Sequence, residues 1–139
     1  MSRILIVDDE AEVVASLARV LRKEFQCTQC TSPIDALALC QQEQFDLVIS
    51  DIRMPKMTGI ELLAKLQQLD PVMGRILITG YADMEDCQSA LDDKTAHIIL
   101  AKPWDNDELK AIIKIIMEMV LLKRENMSLK AQLACAEDQ

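Results

Sequence analysis

Short aliphatic runs recur along this chain, each followed by a longer stretch with helical spacing, at about Arg3–Val7, Gln26–Cys30, Leu47–Ser50, Arg75–Ile78 and His97–Ala101. Four of these runs are apolar almost throughout. A strand without polar alternation has to be covered on both faces, and crossover helices on a parallel sheet provide that cover. The pattern therefore predicts an α/β fold, a doubly wound five-stranded parallel sheet built from βαβ units. Gln26–Cys30 is polar and is expected near an edge. Helix starts are marked by Ser32 before Pro33, Thr58 with Glu61, Asp83 with Asp86, and Asp105 with Glu108. Val14, Leu17, Leu21 and Phe25 are spaced to line one face of the first helix.

Composition narrows the function. The chain has 139 residues, half of them hydrophobic, enough for one compact domain. A formal net charge of −8 supplies no phosphate-neutralising surface, and two Phe, one Tyr and one Trp offer no stacking platform. Direct nucleic-acid binding by this segment is not expected. The apolar stretch Ala111–Leu122 carries Lys114 and Glu118 and falls short of the ~20 residues of a membrane span, so no membrane association is expected. The start MSRILIVDDE lacks the apolar core and cleavage site of a secretory signal, and five irregularly spaced cysteines read as free thiols. A cytoplasmic location is expected. Cys27 and Cys30 form a CxxC that sits in a strand and not at a helix start, with too few other ligands for zinc. His97 opens a strand and reads as packed or solvated.

Ligands of such sheets sit beyond the carboxyl ends of the strands. Those ends carry Asp8 and Asp9, then Asp51, Thr79 and Lys102. Three carboxylates converging on one pocket repel one another unless a cation sits among them, and all-oxygen ligation is what Mg²⁺ prefers. Lys102 adds a compact positive charge and Thr79 a hydroxyl donor. The set suits a phosphoryl group, with Asp51, nearest the sheet centre, as nucleophile. A phosphohydrolase of the haloacid-dehalogenase kind is the competing class, but its D-x-D-x-[T/V] acids lie on one strand and here they are split between two.

ILIVDD at Ile4–Asp9, VISDIRMPKMTG at Val48–Gly59, LITGYAD at Leu77–Asp83 and LAKPWDNDEL at Leu100–Leu109 closely resemble the receiver domain of two-component response regulators. The resemblance implies a flavodoxin-like, CheY-like fold with strand order 2-1-3-4-5. It implies that a histidine kinase or phosphotransfer protein phosphorylates Asp51, that Asp9, Asp51 and the Arg53 carbonyl bind Mg²⁺, and that Asp8 acts mainly through water. Lys102 would pair with the phosphoryl group, Thr79 would hydrogen-bond to it, and Gly80 would leave it room. Met54, Pro55 and Gly59 match the turn after the acceptor, and Pro103 matches a position where a cis bond is usual in the family. Arg53 and Tyr81 should flank the pocket mouth and tune phosphoryl lifetime. The family's aromatic switch position corresponds to Ile99, which has no ring to swing as Thr79 moves, and Asp92–Thr95 replaces a common Gly-Ala turn.

From Asp105 the helical pattern continues without Gly or Pro to about Asp138, some 50 Å at ~1.5 Å per residue. Leu109, Ile112, Ile113 and Ile116 form a stripe expected to face the sheet. A second series, Ile115, Met119, Leu122, Asn126, Leu129, Leu133 and Ala136, alternates spacings of four and three as heptad d and a positions. Glu118 and Glu125 then fall at g, Lys123 and Lys130 at the following e positions, and Asn126 at a. The expected organisation is a receiver domain over 1–121 and a coiled-coil continuation over 122–139, forming a parallel homodimer and leading to an output module beyond this segment.

Overall fold

The computed structural model describes residues 2–80 and 84–137, with side chains for 2–80 and 88–133. Strands β1 (Arg3–Val7), β2 (Gln26–Cys30), β3 (Leu47–Asp51), β4 (Gly74–Thr79) and β5 (Ile98–Ala101) alternate with helices α1 (Ala11–Leu21), α2 (Pro33–Gln42), α3 (Gly59–Leu69), α4 (Met84–Asp92) and α5 (Asn106–Glu137). The strands pair in parallel in the order β2-β1-β3-β4-β5. Every strand lies within one residue of its expected bounds. His97 stands just before β5 and not in it, its N–H donating to the Arg75 carbonyl (2.8 Å).

Strand residues alternate between two faces, so each strand feeds two cores. Ile4, Ile6, Ile49, Ile76 and Ile78 pack under α1 and α5, against Val14, Leu17, Leu21, Leu109, Ile113, Ile116, Met117 and Val120. Leu5, Val7, Val48 and Leu77 pack on the other side against Ala36 and Cys40 of α2, Leu62, Leu63 and Leu66 of α3, and Ala90 of α4. The polar β2 pairs only with β1, at the edge its composition predicts.

The expected caps form at Ser32, whose hydroxyl accepts the Asp35 N–H (3.4 Å), and at Thr58, which accepts the Glu61 N–H (3.1 Å). Asp105 accepts the Asp107 N–H (3.1 Å). Asp83 lies outside the described residues. Phe25 is corrected: α1 ends at Leu21, and Phe25 is buried from the turn beyond, its N–H donating to the Leu21 carbonyl (3.0 Å).

In α5, Leu109, Ile113 and Ile116 are buried and Ile112 half-buried, and Met117 and Val120 extend the sheet-facing stripe. Of the heptad series, Ile115, Leu122, Leu129 and Leu133 are exposed while Met119 is half-buried against the core. Arg124 anchors the helix lower down: Nη2 donates to Asp70 Oδ2 (2.9 Å) and the Phe45 carbonyl (3.0 Å). No helix among the described residues is long and apolar enough to cross a membrane.

Candidate functional site

Parallel strands bring their carboxyl ends to one edge, and the acids found there in the sequence meet in space. Carboxylate oxygens of Asp8, Asp9 and Asp51 lie within 4.8 Å of one another. Asp8 is buried (2% exposed), Asp51 partly so, and Asp9 faces solvent. Lys102, at the end of β5, reaches across the sheet so that Nζ lies 3.4 Å from Asp8 Oδ2 and 3.3 Å from Asp51 Oδ2. The Lys102–Pro103 peptide is cis, as the resemblance implies.

Each group is oriented from its own backbone. Asp8 Oδ1 accepts the Glu10 N–H (2.9 Å), closing the turn into α1. Asp51 Oδ1 accepts the Ile52 N–H (2.8 Å), which leaves Oδ2 on the Lys102 side. The buried Ser50 hydroxyl donates to the Asp51 carbonyl (2.8 Å). Gly59 comes so close to this segment that a Cβ there would overlap the Asp51 carbonyl oxygen, and its N–H donates to the Ile52 carbonyl (2.8 Å). Glycine at the start of α3 is thus a packing requirement of the Asp51 backbone. Lys56 sits at φ 73 in the same turn, a left-handed residue that the sequence does not announce.

Burial, then the Asp51 charge, push the Asp8 carboxyl up to about 6, against the Glu10 N–H and Lys102, which pull it down. Burial alone would lower the Lys102 ammonium, but Asp51 and Asp8 outweigh it and raise it. A carboxylate this buried beside a second one is short of positive charge even with a lysine in contact. Three carboxylates with a partly open mouth are the donor chemistry of a hard divalent cation that keeps several waters, so these residues fit Mg²⁺.

Thr79 is fully buried at the end of β4, and its hydroxyl donates to the Gly80 carbonyl (3.2 Å). A Cβ at Gly80 would meet nothing within 4 Å, so the space beside it is open. Arg53 is exposed beyond β3, Ile99 is half-buried on β5 against the core of α2, α3 and α4, and Tyr81 lies outside the described residues. Burial raises the Cys27 and Cys30 thiols and pushes Cys40 up to about 11, the opposite of a reactive cysteine.

Fold and site together define a doubly wound α/β domain of the flavodoxin-like kind, with an acidic, lysine-bearing pocket at its strand ends. The chain belongs to the response regulator receiver domain family, whose profile it matches over residues 4–114. It is 34% identical over 113 residues to sporulation initiation phosphotransferase F of Bacillus subtilis, covering 81% of this chain and 90% of that one. The hydrogenase transcriptional regulatory protein HoxA of Bradyrhizobium diazoefficiens is 32% identical over 122 residues, 88% of this chain. The chain spans about a quarter of the length of that relative and of its Cupriavidus necator counterpart. Among solved structures, a CheY-like receiver domain protein of Methanospirillum hungatei superposes with a TM-score of 0.82 at 31% identity, covering 88% of this chain and 98% of that one.

Proposed function

We propose that this chain is the phosphoacceptor of a two-component phosphorelay, in which a histidine kinase or phosphotransfer protein delivers a phosphoryl group to Asp51. The observation that carries this reading is the contact of Lys102 with both Asp8 and Asp51 inside a trio of converging carboxylates. Asp8, Asp9, Asp51 and the Arg53 carbonyl would hold Mg²⁺. The ion, when bound, supplies the positive charge that offsets the carboxylates and the incoming phosphoryl oxygens. Asp51, fixed through Oδ1 by the Ile52 amide, presents Oδ2 to phosphorus. A new P–O bond forms there as the P–N bond to the donor imidazole breaks, and the bonding pair returns to the imidazole nitrogen. Lys102 follows the charge from the carboxylates to the phosphoryl oxygens, and Thr79 turns its hydroxyl from the Gly80 carbonyl toward them. The chain acts on itself only: water later attacks phosphorus as the P–O bond to Asp51 breaks, with Arg53, exposed beyond β3, and Tyr81, two residues after Thr79 in the sequence, setting the rate. With Ile99 in place of an aromatic switch, no ring swings inward as Thr79 moves, and the family's aromatic relay is not available to this chain.

The test is incubation with a small acyl phosphate, with and without Mg²⁺, read by intact mass. One phosphoryl per chain, dependent on Mg²⁺ and absent in Asp51→Asn, is expected. Continued turnover of a free phosphate ester would point to a phosphohydrolase instead.

The exposed seam of α5 supports a second part of this reading, a parallel homodimer through 115–136 that signals to an output module. At ~100° per residue, Ile115, Leu122, Asn126, Leu129 and Leu133 cluster on one side of the helix, and Ile113, Met117, Val120 and Arg124 on roughly the opposite side. The seam is therefore open to a partner without detaching α5 from the sheet. Asn126 at an a position favours two strands in register. Sedimentation should show a dimer that Leu122→Lys with Leu129→Lys dissociates; a monomer at high concentration in the wild type would overturn it. A cytoplasmic setting, where histidine kinases present their phosphoryl groups, completes the proposal.

A further inference from the structure

At the amino-terminal end of β4, on the side of the sheet away from the acidic cluster, lies a cavity of about 350 Å³ lined by Arg75, Lys94, His97 and Lys123, with Gln67 at its wall. Among the described residues no carboxylate lines it, in a chain with eight more acidic than basic residues. We propose that it is a binding site for a phosphate group, separate from the phosphoacceptor pocket.

Arg75 is the centre of the argument. It is 2% exposed, and its guanidinium donates only to carbonyls: Thr95 (2.8 Å), Met73 (2.8 Å), Lys94 (3.1 Å) and Pro71 (3.3 Å). Carbonyls satisfy its hydrogen bonds but bring no formal charge, and the one carboxylate whose charge favours it, Asp70, does so without a hydrogen bond to it. The neighbouring Asp70 carboxylate is committed to Arg124 at 2.9 Å. A guanidinium has five N–H groups, so one more donor remains beyond these four contacts.

The other lining groups add donors. His97 Nδ1 accepts the Arg75 backbone N–H (3.0 Å), so the proton of the neutral ring is on Nε2 and available to a ligand. Burial first, then the charges of Arg75 and Lys123, hold this imidazole down at about 4, so the ring is neutral at pH 7.5. Lys94 follows α4 in the left-handed conformation, φ 61, at a conformational cost that glycine would avoid. The conformation closes the end of α4, with the Lys94 N–H on the Leu91 carbonyl (3.0 Å) and the Thr95 N–H on the Ala90 carbonyl (2.9 Å), and it sets Lys94 in the cavity wall. Asp92 and Asp93, just before it, are exposed and do not line the cavity. Ammonium, guanidinium edge and imidazole N–H come from β4, α5 and the α4–β5 turn, an arrangement that suits a tetrahedral anion. A bound phosphate would bridge Lys94 to Lys123 and so tie the α4–β5 turn to the helix that leaves the domain. Lys123 is also the e-position partner proposed for Glu118 of a second chain, whereas Arg75, Lys94 and His97 belong to this cavity alone.

The chain has a single histidine, so its ring resonances report on this cavity directly. Inorganic phosphate and, separately, glycerol 3-phosphate are titrated against chloride at constant ionic strength, without Mg²⁺, at pH 7.5. A saturable shift of the His97 signals is expected, weakened at least tenfold in the double variant Lys94→Gln, Lys123→Gln and retained in Asp51→Asn. Saturation by both compounds assigns the site to free phosphate, and saturation by the ester alone to an organic phosphate. No saturable shift from either, an equal shift in the lysine double variant, or loss of the shift in Asp51→Asn would overturn the proposal. The replaced lysines are exposed, so the double variant keeps the fold.

Discussion

Truncating Arg124 to alanine tests how α5 is held to the sheet. Its side chain is 20% exposed and serves two carboxylates, Asp46 and Asp70, each 19% exposed. Nη2 and Nη1 grip Asp70 at 2.9 and 3.4 Å, Nη2 also reaches the Phe45 carbonyl, and Nε lies 3.4 Å from Asp46 Oδ1 as a charge contact without hydrogen-bond geometry. Asp46 cannot simply turn away, because its other oxygen accepts the Arg3 N–H at 2.9 Å. Alanine would leave two partly buried carboxylates and a carbonyl without their shared cation. A surface pair contributes ~0–1 kcal/mol and a broken buried one costs ~3–5 kcal/mol, so one-fifth exposure places the loss at about 2–3 kcal/mol. At about 3–5 °C per kcal/mol for a domain of this size, Tm should fall by roughly 6–15 °C. Urea unfolding should show a lower midpoint with an unchanged slope, and Arg124→Lys, which keeps the charge without the fork, should recover about half. A loss below about 0.5 kcal/mol would refute the reasoning, leaving the apolar stripe Leu109, Ile113, Ile116, Met117 and Val120 to hold the helix. Amide exchange gives a second reading: residues 121–130 should lose protection while 109–117 keep theirs.

Gly59→Ala should cost about 1–3 kcal/mol and slow labelling of Asp51, because the added Cβ overlaps the Asp51 carbonyl; wild-type stability and labelling rate together would contradict this. Lys94→Gly should gain ~0.5–1 kcal/mol by relieving φ 61, and a lower urea midpoint would show the strain argument wrong. His97 has a folded pKa near 4 against 6.5 for the free ring, so the unfolded chain takes up its proton first as pH falls. The stability linked to the neutral imidazole is complete above pH 6.5 and is lost as pH drops toward about 4, with a slope of at most ~1.4 kcal/mol per pH unit. His97→Asn, which offers an oxygen where Nδ1 accepts the Arg75 N–H, should flatten that slope; an unchanged pH profile would show that another group titrates.

The strands were legible because aliphatic residues without alternation admit few other arrangements, and the acids that end β1 and β3 break those runs abruptly. Thr58 and Ser32 were legible as caps because capping is local chemistry. Phe25 was not, since its helical spacing continues past Leu21 while the chain has already turned toward β2. Periodicity records which residues are buried, not which element buries them. The acidic trio and Lys102 could be placed together from topology, but the Lys102 contact with both Asp8 and Asp51 depends on a side chain crossing from β5, which no local pattern encodes. Arg75 and Arg124 were missed for a related reason. A basic residue in a strand or on a helix face gives no sign that four backbone carbonyls, or two distant carboxylates, will close around it. Lys94 carried one usable signal, its position in a polar stretch where glycine is common.

The most direct measurement is the location of the modification. After reaction with an acyl phosphate and Mg²⁺, borohydride reduction and peptide mapping should find the modified carboxyl at Asp51 alone, with Asp8 and Asp9 untouched. Modification of Asp8 or Asp9, or an Asp51→Asn chain that still gains one phosphoryl group at the wild-type rate, would contradict the account.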